Sequence, residues 1–114
     1  NVSGGQRQRL SIARMLVARP LIYLFDDSFS ALDVATDAKV RAAMRASFAE
    51  REQPVTSIIV AQRVASIRDA DQILVLDAGR IVDRGTHEEL LGRCAVYQEI
   101  VDSQETAAAA GGEN

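Results

Sequence analysis

Leu21-Ile22-Tyr23-Leu24-Phe25 is an unbroken apolar run that ends on two adjacent carboxylates, Asp26 and Asp27. A run of this length and character reads as a strand buried in a sheet. A strand tipped with acid places negative charge at the carboxyl edge of that sheet, where α/β proteins hold a divalent cation beside a phosphate. Upstream, Ser3-Gly4-Gly5-Gln6-Arg7-Gln8-Arg9 sets small residues directly before a helical pattern. A helix opened by glycines leaves backbone N–H groups bare and points its positive end outward, an arrangement suited to an anion. A plain helix-start turn is the simpler alternative for the two glycines. Both stretches together point to nucleotide chemistry.

The remaining chain alternates helices and strands. Gln6–Ala18 carries Leu10, Ile12, Ala13, Leu16 and Val17 at near-helical spacing, and Pro20 marks its end. After a loop at 28–33, Val34 to about Glu50 is an Ala-rich helix with Val40, Ala43, Met44 and Phe48 turned inward. Val55–Ala61 is a second buried strand, followed by a short helical piece near Ala65–Arg68 and a third strand, Gln72–Leu76. Asp77-Ala78-Gly79 is a turn from which Arg80–Asp83 pairs back. Thr86 with Glu89 forms a capping box ahead of a short helix, and a last helix runs from about Ala95 to Gln104. The Ala-Gly stretch beyond it reads as a disordered tail, 104–114. The expected architecture is α/β, a mostly parallel sheet with an antiparallel hairpin near one edge.

Bulk properties narrow the function. With 114 residues the chain makes at most one small domain, and its net charge of −3 argues against a nucleic-acid partner bound through bulk charge. No apolar run approaches the roughly 18–20 residues of a membrane span. Cys94 is the only cysteine and reads as a structural thiol in a C-terminal helix. The sequence opens inside a motif-bearing segment, and no Gly-x-x-x-x-Gly-Lys-Ser/Thr phosphate loop occurs in it. It is expected to be the C-terminal part of something longer.

Several motifs in order resemble ATP-binding-cassette (ABC) ATPases over roughly residues 1–103. Ser3-Gly4-Gly5-Gln6 resembles the family's signature, and Leu21–Asp26 its Walker B strand. Ser30-Ala31-Leu32-Asp33 resembles the D-loop, and Ile58-Ile59-Val60-Ala61-Gln62-Arg63 the switch segment. Leu74–Val82 and Gly85-Thr86-His87-Glu88-Glu89-Leu90 are similar to the C-terminal end of exporter-type members. The resemblance implies a P-loop NTPase-like, mostly parallel sheet and two nucleotide-binding domains that sandwich two ATP molecules head to tail. Ser3, Gly4, Gly5 and Gln6 would then meet ATP held by the partner domain, Asp26 would hold Mg²⁺ of the chain's own ATP, and Ala31 and Asp33 would cross the interface. It also implies a transmembrane domain and a place at the cytoplasmic face of a bacterial membrane.

Two positions depart from the family pattern. Asp27 stands where Glu orients the attacking water, and Gln62 stands where His contacts the γ-phosphate. Asp is shorter than Glu by one C–C bond, about 1.5 Å, and a misplacement of about 1 Å can cost on the order of 100-fold in rate. Gln donates a hydrogen bond but carries neither proton nor charge as His does. The pattern resembles the non-hydrolytic half of a heterodimeric exporter, in which the chain's own site turns over slowly and its intact signature completes the partner's site. An importer subunit and a DNA-repair or chromosome-structure ATPase are the alternatives within the same fold.

Overall fold

A computed structural model describes residues 3–26 and 31–111. Its elements are α1 (Gly4–Ala18), β1 (Ile22–Asp26), α2 (Val34–Ala49), β2 (Thr56–Val60), a 3₁₀ turn (Val64–Ser66), β3 (Ile73–Asp77), β4 (Arg80–Gly85), α3 (His87–Arg93) and α4 (Ala95–Gly111). They fall into two compact units, Asn1–Gln62 and Arg63–Asn114. The class is α/β, as the alternation of patterns implies. Among the described residues the strands form two ladders rather than one sheet with a hairpin at its edge: β1 pairs with β2 in parallel, and β3 with β4 antiparallel.

In the first unit β1 and β2 run in register from Ile22↔Thr56 to Asp26↔Val60. Side chains alternate across a strand, so Tyr23 and Phe25 share one face with Ser57 and Ile59. Tyr23 and Phe25 are fully buried there with Ile12 of α1, Leu32 and Met44 of α2, and Val40 and Phe48 pack beside them. The Tyr23 ring stacks parallel to Phe25 at 5.9 Å and tilts against Phe48 at 4.7 Å. The opposite face, with Ile22, Leu24, Ile58 and Val60, is largely exposed. Sequence alone reads both strands as buried on two sides, because an uninterrupted apolar run does not reveal which face its own unit covers. On α1 the same distinction appears: Ile12 is buried and Leu16 half-buried, whereas Leu10 and Val17 are exposed. Ala43 of α2 is exposed as well.

Arg51 closes this unit. Its guanidinium donates to the carbonyls of Pro20 (2.6 Å) and Arg19 (2.9 Å) and to the Tyr23 hydroxyl (3.3 Å). Arg19 is the left-handed C-cap of α1, its N–H bonded to the Leu16 carbonyl, so Arg51 binds the turn that feeds the chain into β1. Within α2, Asp37 is buried and pairs with Arg41 at 2.7 Å, one turn on. A carboxylate in the first turn of a helix also meets the favourable end of its dipole.

The second unit buries one face of β3 (Ile73, Val75) against Val64, Leu90, Cys94, Tyr97 and Val101. Cys94 lies in the core, as a structural thiol would, but as the extended cap between α3 and α4 rather than within a helix as expected. His87 is buried beside Tyr97, with Nδ1 2.6 Å from the Tyr97 hydroxyl, and Arg68 Nη2 approaches its Nε2 at 3.3 Å. A guanidinium only donates, so Nε2 is the acceptor and Nδ1–H donates to the tyrosine. Burial raises the Tyr97 phenol above its ordinary value, more strongly than the Arg68 charge lowers it. Thr86 and Glu89 form the expected capping box at α3. Helix α4 continues to Gly111, where a disordered tail from 104 is the sequence expectation. Its extra turns contain Ala107–Ala110, and alanine has the highest helix propensity.

The β3–β4 loop consists of Ala78 (φ 50°) and Gly79 (φ 77°), both left-handed, as a tight two-residue hairpin turn demands. Alanine tolerates that region poorly, asparagine better. Ala78→Asn is expected to stabilise the chain by about 0.5–1 kcal/mol, read as a higher denaturant midpoint at unchanged slope.

Candidate functional site

The first turn of α1 is shaped by reciprocal capping. The Ser3 hydroxyl accepts from the Gln6 N–H (3.1 Å), and the Gln6 side-chain oxygen accepts from the Ser3 N–H (2.9 Å). The Ser3 carbonyl accepts from Arg7 N–H. Gly4 and Gly5 occupy the remaining first-turn positions, for whose N–H groups the helix itself supplies no acceptor. An anion approaching this end would therefore meet two glycine N–H groups and the positive pole of a helix of 15 residues. The pattern Ser-x-x-Gln is a capping-box signature and is present in the sequence, yet the sequence reading assigns all four residues to ligand contact. Ser3 and Gln6 first of all hold the helix end.

Residues 31–33 lie against that turn. A Cβ built on Gly5 would stand 3.0 Å from the Ala31 carbonyl oxygen, and one on Gly4 would stand 3.5 Å from Ala31 Cβ. The Ala31 N–H donates to the Gln8 side-chain oxygen at 2.9 Å. Leu32 is buried in the core of the first unit. Asp33 is the N-cap of α2: its Oδ1 accepts from Thr36 N–H at 2.7 Å. Hydrogen bonds from the Thr36 backbone and side chain hold its carboxyl below the ordinary carboxylate value, with a smaller pull from Arg9 and Lys39. Sequence reasoning places Ala31 and Asp33 at an interface and passes over both Gln8 and the Asp33 cap. The Asp-x-x-Thr spacing is the signal for the cap; nothing in the local sequence marks Gln8.

A second group gathers at the carboxyl edge of the parallel pair. Asp26 is the last residue of β1 and lies opposite Val60, the last of β2; Gln62 follows two residues later. Both are exposed. Parallel pairing is what brings them to one edge, because two parallel strands end on the same side. Asp27 lies outside the described residues. Among the described residues no cluster of three or more His, Cys, Asp and Glu side chains could cage a metal. Mg²⁺ needs no such cage, since it binds through one or two carboxylates with water and phosphate oxygens. Asp26 fits the single-carboxylate role.

A scan against models of protein families finds no match. Among curated proteins, an ABC transporter ATP-binding protein of Mycobacterium bovis is 53% identical over 112 residues, 98% of this chain and 19% of that protein. The ABC transporter ATP-binding protein YfiB of Bacillus subtilis is 44% identical over 104 residues, 91% of this chain and 17% of that protein. The chain is a homologue of ABC transporter ATP-binding proteins. Among solved structures, that of a bacterial Atm1-family ABC exporter with ATP bound superposes at a TM-score of 0.82, with 44% identity, covering 90% of this chain and 18% of the exporter chain. The fold is thus that of part of an ABC exporter, and the chain spans under a fifth of the length of the relatives it matches. Among the described residues no helix is long and apolar enough to cross a membrane.

The Asp33 cap gives this ABC homologue a measurable acid dependence. The folded-state value lies below the ordinary 3.8, so the stability it lends is present above 3.8 and is lost as pH falls through the lower folded value. Asp33→Asn keeps an acceptor oxygen but does not titrate there. The difference in melting temperature between wild type and Asp33→Asn is expected to be constant above about pH 5 and to change progressively as pH falls from there through the lowered folded value.

Proposed function

We propose that this chain is the signature-bearing part of the ATPase of an ABC exporter, working opposite a second nucleotide-binding domain and beneath a transmembrane domain at the cytoplasmic face of a membrane. The observation that carries the reading is the Ser3–Gln6 turn: a capped helix start with two glycines in its first turn, in a chain 44% identical to an exporter solved with ATP bound. In this reading the glycines let the backbone approach the γ-phosphate of ATP held by the partner domain, and their N–H groups bind its oxygens. The capping bonds of Ser3 and Gln6 keep those N–H groups from reorienting, so little is lost in positioning them as charge builds on the phosphate.

At the carboxyl edge, Asp26 supplies the protein ligand to Mg²⁺ of the chain's own ATP. The ion, when bound, neutralises charge on the phosphate oxygens. Asp27 and Gln62 stand where the family has Glu and His. Asp27 holds the attacking water from a carboxylate set back by one methylene, and Gln62 offers the γ-phosphate a neutral amide. The chain's own site therefore binds ATP and turns it over slowly, while its signature completes a competent site whose Glu and His the partner supplies. This makes the functional unit a heterodimer.

Gly4 offers the cleanest test of the signature. A side chain there meets Ala31 Cβ only at ordinary contact distance, 3.5 Å, so Gly4→Asp sets a carboxylate against the phosphate with little disturbance of residues 31–33. In the complete transporter Gly4→Asp is expected to lower steady-state ATP turnover at least about 100-fold, the scale of losing one phosphate-positioning donor. Turnover equal to wild type would remove the signature from the active site.

A further inference from the structure

The contact between α1 and residues 31–33 has a chemistry of its own. Gly4, Gly5 and Gln8 are spaced by three and four residues, which places them on one face of α1. All three touch the same residue. Gly5 lets the Ala31 carbonyl come within 3.0 Å of where a Cβ would be, Gly4 admits the Ala31 methyl, and the Gln8 amide oxygen accepts from the Ala31 N–H at 2.9 Å across 23 residues of sequence. The next two residues are fixed independently, Leu32 by burial in the core and Asp33 by capping α2. Ala31 takes its backbone partner from α1, the Gln8 side chain.

We propose that Gln8 is a positioning residue that ties the D-loop to the signature helix, so that residues 31–33 and the Ser3–Gln6 turn reach the partner domain as one rigid edge. This rests on the reading of the signature given above. The two glycines then serve two purposes: they admit phosphate from outside and the D-loop backbone from the side. Gln8 needs no contact with nucleotide to matter. Without its oxygen the Ala31 N–H has no partner on α1, and the D-loop can shift while the signature stays in place. Such a loss acts on the reaction geometry and leaves nucleotide affinity in place, so it lowers kcat and spares KM.

The test uses the complete transporter with both nucleotide-binding domains. Gln8→Leu removes the acceptor at similar volume; Gln8→Glu keeps an acceptor oxygen at the same reach. Gln8→Leu is expected to lower kcat for ATP about three- to tenfold, the range of one lost hydrogen bond, with KM changed less than about twofold. Gln8→Glu is expected to return kcat to within about twofold of wild type. If Gln8→Leu does not assemble, Gln8→Lys, which replaces the acceptor by a donor, takes its place in the same comparison. Wild-type kcat in the acceptor-less variant, or equal losses in the acceptor-less and Glu variants, would overturn the proposal. Gly4→Asp measured alongside separates the two ideas: its failure to lower turnover removes the signature reading, whereas a loss there with no effect of Gln8→Leu removes only the role of Gln8.

Discussion

The parallel pairing of β1 with β2 is the constraint on which the first unit depends. Its register puts Tyr23 and Phe25 on one face, and both α1 and α2 contribute buried side chains to that face. It also decides the chemistry of the edge. Because parallel strands end on the same side, Asp26 and the segment leading to Gln62 meet there without any contact between them being needed. A shift of register by one residue would turn Tyr23 and Phe25 outward and carry Asp26 to the covered face. Core and edge are therefore specified by one set of backbone hydrogen bonds, and Arg51 secures the turn that enters it.

Polar side chains at helix ends account for much of what surrounds this core. Ser3 and Gln6 close the start of α1, Asp33 the start of α2, and Thr86 with Glu89 the start of α3. In the first two cases the capping residues belong to segments that resemble nucleotide-handling motifs. The two roles are compatible: a cap orders the backbone donors of a helix end, and ordered donors are what an anion requires. On the same helix Gln8 carries this order sideways to Ala31.

The alternation of strands and helices was legible because its signals are local: the apolar run at 21–25, Pro20 after α1, the Asp77-Ala78-Gly79 turn, and Thr86 with Glu89. Exposure was not legible, since Ile22 and Leu24 are as apolar as Tyr23 and Phe25, and only pairing and helix packing tell the faces apart. The Ser3–Gln6 capping box was readable from its spacing and was overshadowed by the motif it belongs to. The Gln8–Ala31 bond and the Arg51 clamp join residues 23 and more than 30 positions apart, and no periodicity records such a contact. That Asp26 and the segment leading to Gln62 share one edge follows from the pairing of Asp26 with Val60, which the apolar runs by themselves do not specify. The turns that α4 adds beyond Gln104 follow alanine propensity, which a reading of low complexity sets aside.

In the function proposed above, the pair Asp27 and Gln62, a shortened carboxylate and a neutral amide beside an unaltered Ser-Gly-Gly-Gln turn, separates binding from turnover at the chain's own site. The direct measurement is single-turnover hydrolysis of Mg-ATP by the complete transporter with the partner's catalytic Glu neutralised, so that only this chain's own site can react. Bound ATP that decays at least about 100-fold more slowly than in the intact transporter is the result the account predicts. Decay at a rate close to that of the intact transporter would make Asp27 a working catalytic carboxylate and contradict the account.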